Sequence, residues 1–209
     1  RMIMRKEFDD MTVQEKYLKI ADDVIAAGPY KPDWHSLAAY EAPKWFRNAK
    51  FGIFIHWGIF SVPAHNNEWY SRNMYIQDME EWEWHRKNFG EHTKFGYKDF
   101  IPMFTAPKFD PKQWAKLFKK AGAKYVMPVA EHHDGFQMYD SEISDWTSVK
   151  MAMKRDVLGE LKEAIQEEDM IFCESNHRVE HAFFMGHGCE FDSDIKQPMK
   201  LGDFYYPAM

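Results

Sequence analysis

The stretch that most constrains the fold is KYVMPVAEHHDGF, residues Lys124 to Phe136. Its apolar run, Tyr125 to Val129, predicts a buried strand. Chargeable side chains follow the run at once: Glu131, His132, His133 and Asp134. Sites in α/β proteins lie at the carboxyl ends of strands. The segment therefore predicts a parallel sheet with a functional site at one edge.

A helix is predicted immediately before this strand. Asp110 is a good N-cap, Pro111 suits the first helical position, and Gln113 stands where a capping-box partner belongs. Gly122 supplies the left-handed residue that ends many helices. Apolar residues at helical spacing predict the stripe that faces the core: Trp114, Leu117, Phe118 and Ala121.

Two further predicted strands also end near histidine. The segment FGIFIHWG, Phe51 to Gly58, is continuously apolar, which predicts a strand covered on both faces, as in a parallel sheet. It carries His56 at its carboxyl end. Met170 to Cys173 is a short β-like run before the polar cluster ESNHRVEH, which contains His177. Helices alternating with such strands favour parallel βα units. If the strands are parallel neighbours, His56, His132, His133 and His177 converge on one edge of the sheet.

Other segments give simpler expectations. Periodicity predicts helices over Thr12 to Ala27, Glu80 to Phe89 and Arg155 to Glu168. The last of these should face the core through Val157, Leu158, Leu161, Ala164 and Ile165. The stretch from Ala182 to Met209 is predicted to be an irregular segment rich in aromatic residues.

Bulk properties exclude some classes of partner. A net charge of −6 gives no electrostatic support for binding nucleic acid. The sequence contains no run of about 18 apolar residues, so no membrane span is predicted. The N-terminal RMIMRKEFDDM lacks the apolar core of a signal peptide, which leaves the compartment open because a processed start looks the same. Cys173 and Cys189 have no metal-type spacing, so one disulfide and two free thiols both stay open.

The converging side chains support two hypotheses. His56, His132 and His177 could ligate a divalent ion in a barrel metallohydrolase. Alternatively, neutral imidazoles and a carboxylate bind the hydroxyls of a sugar while tryptophan stacks on its apolar face; Glu68 and Trp69 follow His56 by a short loop and suit this role. The sugar hypothesis predicts aromatic residues near the polar edges, as observed. The metal hypothesis prefers His-x-His or His-x-x-x-His pairs, and neither occurs near these strand ends.

Three stretches of the sequence resemble one known family. These are WFRNAKFGIFIHWGIFSVPAHNNEWYSRNMY, AEHHDGFQMYDSEISDWTSVKMAMKRDVLGEL and NHRVEH. Together, from about Trp45 onward, they resemble the catalytic domain of α-L-fucosidases, the retaining glycoside hydrolase family 29. The resemblance implies a (β/α)₈ TIM-barrel-like domain, a fucosylated glycan or fucoside as substrate, and no metal or other cofactor. It implies contacts to the fucose ring from six residues: His56, Glu68, Trp69, His132, His133 and His177. Asn176 and Arg178 lie beside His177 in the NHRVEH stretch.

The sequence also departs from the family pattern. The family's nucleophilic aspartate and its acid/base are expected beyond Met209, and Asp192, Asp194 and Asp203 are poor substitutes because no buried β-run precedes them. The expectation is one partial barrel over residues 1–209, with a lead-in at 1–44 and three or four βα units at 45–209. Such a chain is expected to be inactive alone and to need a second chain or self-association to complete the barrel. The alternative is a non-catalytic module that has kept the pocket and binds fucose without hydrolysing a fucoside. The family resemblance suggests a secreted, periplasmic or lysosomal location.

Overall fold

The computed structural model describes residues 11–206, which form two compact units divided between Lys50 and Phe51. The first unit holds helices α1 (Val13–Ala27), α2 (Trp34–Leu37) and α3 (Lys44–Ala49). Helix α1 begins at Thr12, whose hydroxyl accepts a hydrogen bond from the backbone N–H of Glu15, while the Glu15 carboxylate accepts one from Thr12 N–H. This capping box confirms the predicted helix start. The predicted boundary between residues 1–44 and 45–209 stays a prediction.

The second unit contains the parallel sheet. Its strands are β1 (Gly52–Ile55), β2 (Tyr125–Glu131), β3 (Ile171–Phe172) and β4 (Ser175–Asn176). Its α-helices are α4 (Tyr70–Asn73), α5 (Glu80–Phe89), α6 (Pro111–Lys120), α7 (Val157–Glu167) and α8 (His181–Met185). Short 3₁₀ turns cover Ile59–Ser61, Tyr97–Met103, Arg178–Glu180 and Gly186–Cys189.

Strand β2 is the centre of the sheet, and its pairings with the other three strands are all parallel. Strand β1 pairs along one side, from Gly52 opposite Tyr125 to Ile55 opposite Pro128. Strands β3 and β4 pair with successive parts of the other side, with a register shift between Val129 and Glu131. The predicted parallel α/β arrangement is confirmed. The expected cover on both faces of β1 is wrong for the described residues, because Phe54 is 47% exposed.

The helices show where periodicity is a good guide. All five predicted core positions of α7 are buried. In α6 the N-cap Asp110 accepts from Gln113 N–H, and Gly122 has a positive φ of 96°, as predicted. The predicted stripe of α6 is partly wrong, because Leu117 is 61% exposed while Ala115 is buried. Trp114 and Phe118 of the predicted stripe do pack against the core, and helix α6 contacts α7.

The chain after β4 is more ordered than predicted. Helix α8 and the following 3₁₀ turn occupy part of the stretch that the sequence predicted as irregular, so that expectation is wrong from Ala182 to Cys189. No side chain caps α8, and it is fixed instead by burying Phe184 and Met185. Cys173 and Cys189 are free thiols. Within residues 11–206, no helix has both the length and the apolar character needed to cross a bilayer.

Candidate functional site

The candidate site lies where the parallel strands end. Strand β1 stops one residue before His56, β2 stops one residue before His132, and β4 stops one residue before His177. Because the strands are parallel, their carboxyl ends meet at one edge of the sheet. One ring nitrogen from each of these histidines lies within 4.8 Å of the other two. The structure thus brings together three side chains that are far apart in sequence.

His133 reaches the same cluster as its neighbour His132. Its ring centroid is 4.5 Å from that of His132 and 4.8 Å from that of His177. Adjacent residues of a strand point to opposite faces, but here the strand has ended. The backbone turns instead, with Gly135 N–H donating to His132 C=O at 3.0 Å. Gly135 has a positive φ of 82°, and a Cβ there would lie 2.8 Å from the Arg178 guanidinium, so the turn requires glycine.

Burial keeps these imidazoles neutral. His132 is only 4% exposed, and its Nδ1 has no hydrogen-bond partner in the described part of the chain. Burial, followed by the neighbouring histidines, lowers the pKa of His132 to about 3. Burial is also the main cause that lowers the pKa of His133 and of His177. Near neutral pH, each of these three rings therefore offers one donor and one acceptor nitrogen.

A chain of hydrogen bonds orders two of the rings. His133 Nδ1 lies 3.0 Å from the carbonyl oxygen of His177 and 3.2 Å from a Glu180 carboxylate oxygen, so Nδ1 carries the proton. His133 Nε2 then accepts from His177 Nδ1 at 3.3 Å. His177 Nε2 accepts in turn from the Ser175 hydroxyl at 2.6 Å. One face of the His133 ring stacks on the ring of Phe184, with ring centroids 4.2 Å apart.

Glu131 and Asp134 flank the histidines in sequence but face the protein framework. Glu131 is 1% exposed and accepts from Arg178 Nη1 at 2.7 Å, from Gln137 at 3.0 Å and from Asn176 at 3.4 Å. Glu131 therefore fixes the loop after β4, and Arg178 serves to hold that loop in place through this ion pair. Asp134 accepts from the Tyr97 hydroxyl at 2.6 Å, and burial raises its pKa to about 6.

The rim of the cluster carries the acid and the tryptophan predicted from sequence. Trp69 is 38% exposed, and its ring centroid is 6.3 Å from that of His133 and 5.0 Å from that of Phe184. Glu68 is partly exposed, and its charge acts to raise the pKa of His133 against the larger effect of burial. Both residues therefore lie on the His133 side of the cluster.

Sequence reasoning missed three side chains of this site. Ser175 lies in β4, a two-residue strand too short to leave a pattern. Phe184 lies in the stretch predicted as irregular. Phe60, whose ring centroid is 5.0 Å from that of His132, follows β1 by only a few residues, and its closeness to that predicted strand end is the one signal that the sequence offered.

Neutral imidazoles, one rim carboxylate and an exposed indole at the edge of a parallel sheet define a class: an α/β protein whose site suits an uncharged ligand rich in hydroxyls. Comparison with known families agrees with this class. The family model described as Alpha-L-fucosidase matches residues 18–204. The chain belongs to the alpha-L-fucosidase family.

Individual relatives give the same result. The chain is 40% identical over 167 residues to human tissue alpha-L-fucosidase, a match that covers 74% of this chain and 34% of the relative. It is 43% identical over 142 residues to the bovine tissue enzyme. Among solved structures, Thermotoga maritima alpha-fucosidase is 47% identical with a TM-score of 0.65, over 70% of this chain and 37% of that one. The chain spans about a third of the length of the curated relatives it matches.

Proposed function

We propose that the histidine cluster binds the terminal L-fucose unit of an α-L-fucoside. The observation that carries this is the convergence of His56, His132 and His177 within 4.8 Å on one edge of a parallel sheet. The proposal is supported by relatives solved with the sugar: Thermotoga maritima alpha-fucosidase in complex with fucose, and AlfC from Lactobacillus casei, 27% identical, with alpha-L-fucose product.

Each group has a role that its chemistry suits. The neutral ring of His132 has a nitrogen without a partner in the described part of the chain and can exchange a hydrogen bond with a sugar hydroxyl without the cost of burying a charge. His133 and His177 would reach a hydroxyl by giving up the long 3.3 Å hydrogen bond between their rings. His56 is exposed at the end of β1 and completes this set from the opposite side. Glu68 accepts from a hydroxyl, and the indole of Trp69 covers the apolar face of the ring.

Hydrolysis with retention needs two carboxyl groups roughly 5–5.5 Å apart across the scissile bond. Glu131 and Asp134, the carboxyls beside the histidines, already hold framework partners. In our proposal the 209-residue chain therefore binds fucose but hydrolyses little or nothing by itself. An aspartate from another segment would attack the anomeric carbon and break the glycosidic bond, while an acid from that segment protonates the departing aglycone oxygen. The resulting fucosyl-enzyme would be hydrolysed by a water that gives its proton to the same acid/base, which releases L-fucose and frees the aspartate.

The proposed architecture is one arc of a (β/α)₈ barrel. Within residues 11–206, β1 has a strand partner on one side only, and β3 and β4 likewise pair only with β2. Unpaired strand edges invite pairing with another polypeptide. A second chain, or another copy of this one, is the proposed partner that covers these edges and completes the sugar pocket.

The test measures binding and hydrolysis on the same preparation. L-fucose should bind saturably, D-glucose should not, and a chromogenic α-L-fucoside should stay uncleaved. His56→Ala should abolish binding, while His35→Ala, an exposed histidine of α2, should leave it unchanged. Equal binding of both sugars by a folded protein would refute the proposed site. Efficient cleavage would refute the proposed inactivity of this chain.

A further inference from the structure

We infer that the three imidazoles of His56, His132 and His177 form a second kind of site, one for a late first-row divalent ion such as Zn²⁺ or Cu²⁺. The ion would occupy the space proposed for the sugar and act as a competitive inhibitor. The ion site depends only on the geometry of the cluster. The competition depends in addition on the proposed fucose site.

The separation of the nitrogens favours an ion. Zn–N bonds are about 2.0–2.1 Å long, so nitrogens around a tetrahedral ion lie roughly 3.4 Å apart. The ring nitrogens of the cluster all lie within 4.8 Å of one another. Closing that difference takes small rotations of side chains, and His56 is free to make them because its side chain is exposed. A fourth position would remain for water or another ligand, since only three protein ligands are present.

The rings also have electron pairs to offer. His132 is 4% exposed, and its Nδ1 has no hydrogen-bond partner among the residues described. His177 has its Nε2 at 2.6 Å from the Ser175 hydroxyl, the kind of partner that orients a metal-bound histidine. On binding the ion, His177 would change tautomer: Nε2–H would donate to the Ser175 hydroxyl, and Nδ1, now without its proton, would exchange the long 3.3 Å contact with His133 for a bond to the ion.

The donor set selects the class of ion. Three imidazoles suit Zn²⁺, Ni²⁺ and Cu²⁺, whereas Mg²⁺ and Ca²⁺ require oxygen ligands. The nearest buried carboxylates, Glu131 and Asp134, are held by Arg178 and Tyr97 and are not available as extra oxygen ligands. The site should therefore bind Cu²⁺ more tightly than Zn²⁺ and should ignore Mg²⁺.

The test is calorimetric titration of the metal-free, tag-free chain with ZnCl₂, with CuCl₂ and with MgCl₂ near neutral pH. One saturable Zn²⁺ site is expected, with tighter Cu²⁺ binding and no Mg²⁺ signal. His56→Ala should weaken Zn²⁺ binding by at least tenfold, on the order seen when a metal site loses a supporting group. His35→Ala is the matched control and should change nothing. Exposed His56 is chosen because buried His132 variants carry a greater risk of misfolding, and circular dichroism checks each variant.

Two results would overturn the ion site: no saturable Zn²⁺ binding by the folded chain, or equal losses in His56→Ala and His35→Ala. Saturating L-fucose should lower the apparent Zn²⁺ affinity. Zn²⁺ binding that L-fucose does not affect would overturn the competition and count against the fucose site, while leaving the ion site in place. If the folded chain bound L-fucose but not Zn²⁺, the ion site would be overturned and the fucose site would stand.

Discussion

Two partly buried polar clusters in the second unit serve different ends. In the tyrosine–aspartate cluster, Asp194 accepts from the hydroxyls of Tyr75, at 2.7 Å, and of Tyr205. The backbone N–H of Tyr97 donates to the Tyr75 hydroxyl, and that of Lys98 donates to the Tyr205 hydroxyl, both at 3.0 Å. These groups satisfy one another and leave nothing for a ligand.

The histidine cluster is equally dense but incompletely satisfied. His132 keeps a buried nitrogen without a partner in the part of the chain that the structure describes. An unsatisfied buried polar group destabilises a fold, so its presence calls for an explanation. We take the comparison to mean that the first cluster stabilises the protein and the second is kept for binding.

The largest expected effect is the loss of Asp194. The Tyr75 and Tyr205 hydroxyls lie 3.1 Å apart, so Asp194→Ala leaves one of them to donate to the other and the other buried without an acceptor. This should lower the free energy of unfolding by about 1.5–3 kcal/mol. Urea denaturation measures this. Asp192→Ala is the control, because its side chain is 84% exposed and its ion pair with Lys196 is on the surface; it should change stability by less than about 0.5 kcal/mol. A loss below about 1 kcal/mol for Asp194→Ala would end the structural interpretation of this cluster.

A second prediction compares two buried histidines directly. His85 has both nitrogens bonded, to the Tyr70 hydroxyl at 2.8 Å and to Phe95 C=O at 2.9 Å, whereas His132 has one nitrogen without a partner. His85→Phe should therefore cost about 1–3 kcal/mol of unfolding free energy, and His132→Phe less than about 1 kcal/mol. L-fucose binding should show the reverse, lost in His132→Phe and kept in His85→Phe. If the same variant showed the larger loss of both stability and L-fucose binding, the proposed distinction between a stabilising and a binding role would be wrong.

The pH dependence of stability gives a third prediction. The folded pKa of His132, about 3, lies below its ordinary value of 6.5, so the unfolded chain binds the proton more tightly. This group therefore stabilises the fold above about pH 6.5, and that contribution is lost as pH falls toward 3, by roughly 1 kcal/mol per pH unit. Asp134, whose folded pKa of about 6 lies above its ordinary 3.8, acts oppositely between those two values. Denaturation at a series of pH values should show a shallower acid loss in His132→Phe than in the wild type; parallel curves would contradict the assignment.

The smallest effect is expected at the rim. Trp69→Leu removes a half-exposed ring, so stability should hardly change, while L-fucose affinity should fall by about 2- to 10-fold, the range of a single aromatic contact. Trp34→Leu, at a residue that is 86% exposed, is the matched control and should leave affinity unchanged. Equal affinities of the two variants would exclude Trp69 from the sugar site.

Much of the framework could be predicted because its residues obey local rules. The five buried positions of α7 repeat at helical spacing, and the N-cap Asp110 and the left-handed Gly122 mark the ends of α6. The edge of the sheet was predictable for the same reason, since polar residues directly after apolar runs must come together if the strands are parallel.

The remainder depends on contacts between distant parts of the chain. Helix α8 has no capping signal and forms because Phe184 and Met185 are buried, and nothing local in α6 marks Leu117 as the exposed member of its apolar stripe. The sequence EHHD also does not show that its histidines join the cluster while Glu131 and Asp134 bind the protein framework. Glu131 turns inward because it pairs with Arg178, and Asp134 turns inward because it accepts from Tyr97; both partners are distant in sequence.

The most direct measurement of the central claim is the NMR spectrum of the histidine side chains during titration with L-fucose. We expect the ring signals of His56, His132, His133 and His177 to shift together with one affinity, while those of His35 and His85 stay in place. Ring signals that do not move at sugar saturation, or that move equally with D-glucose, would contradict it.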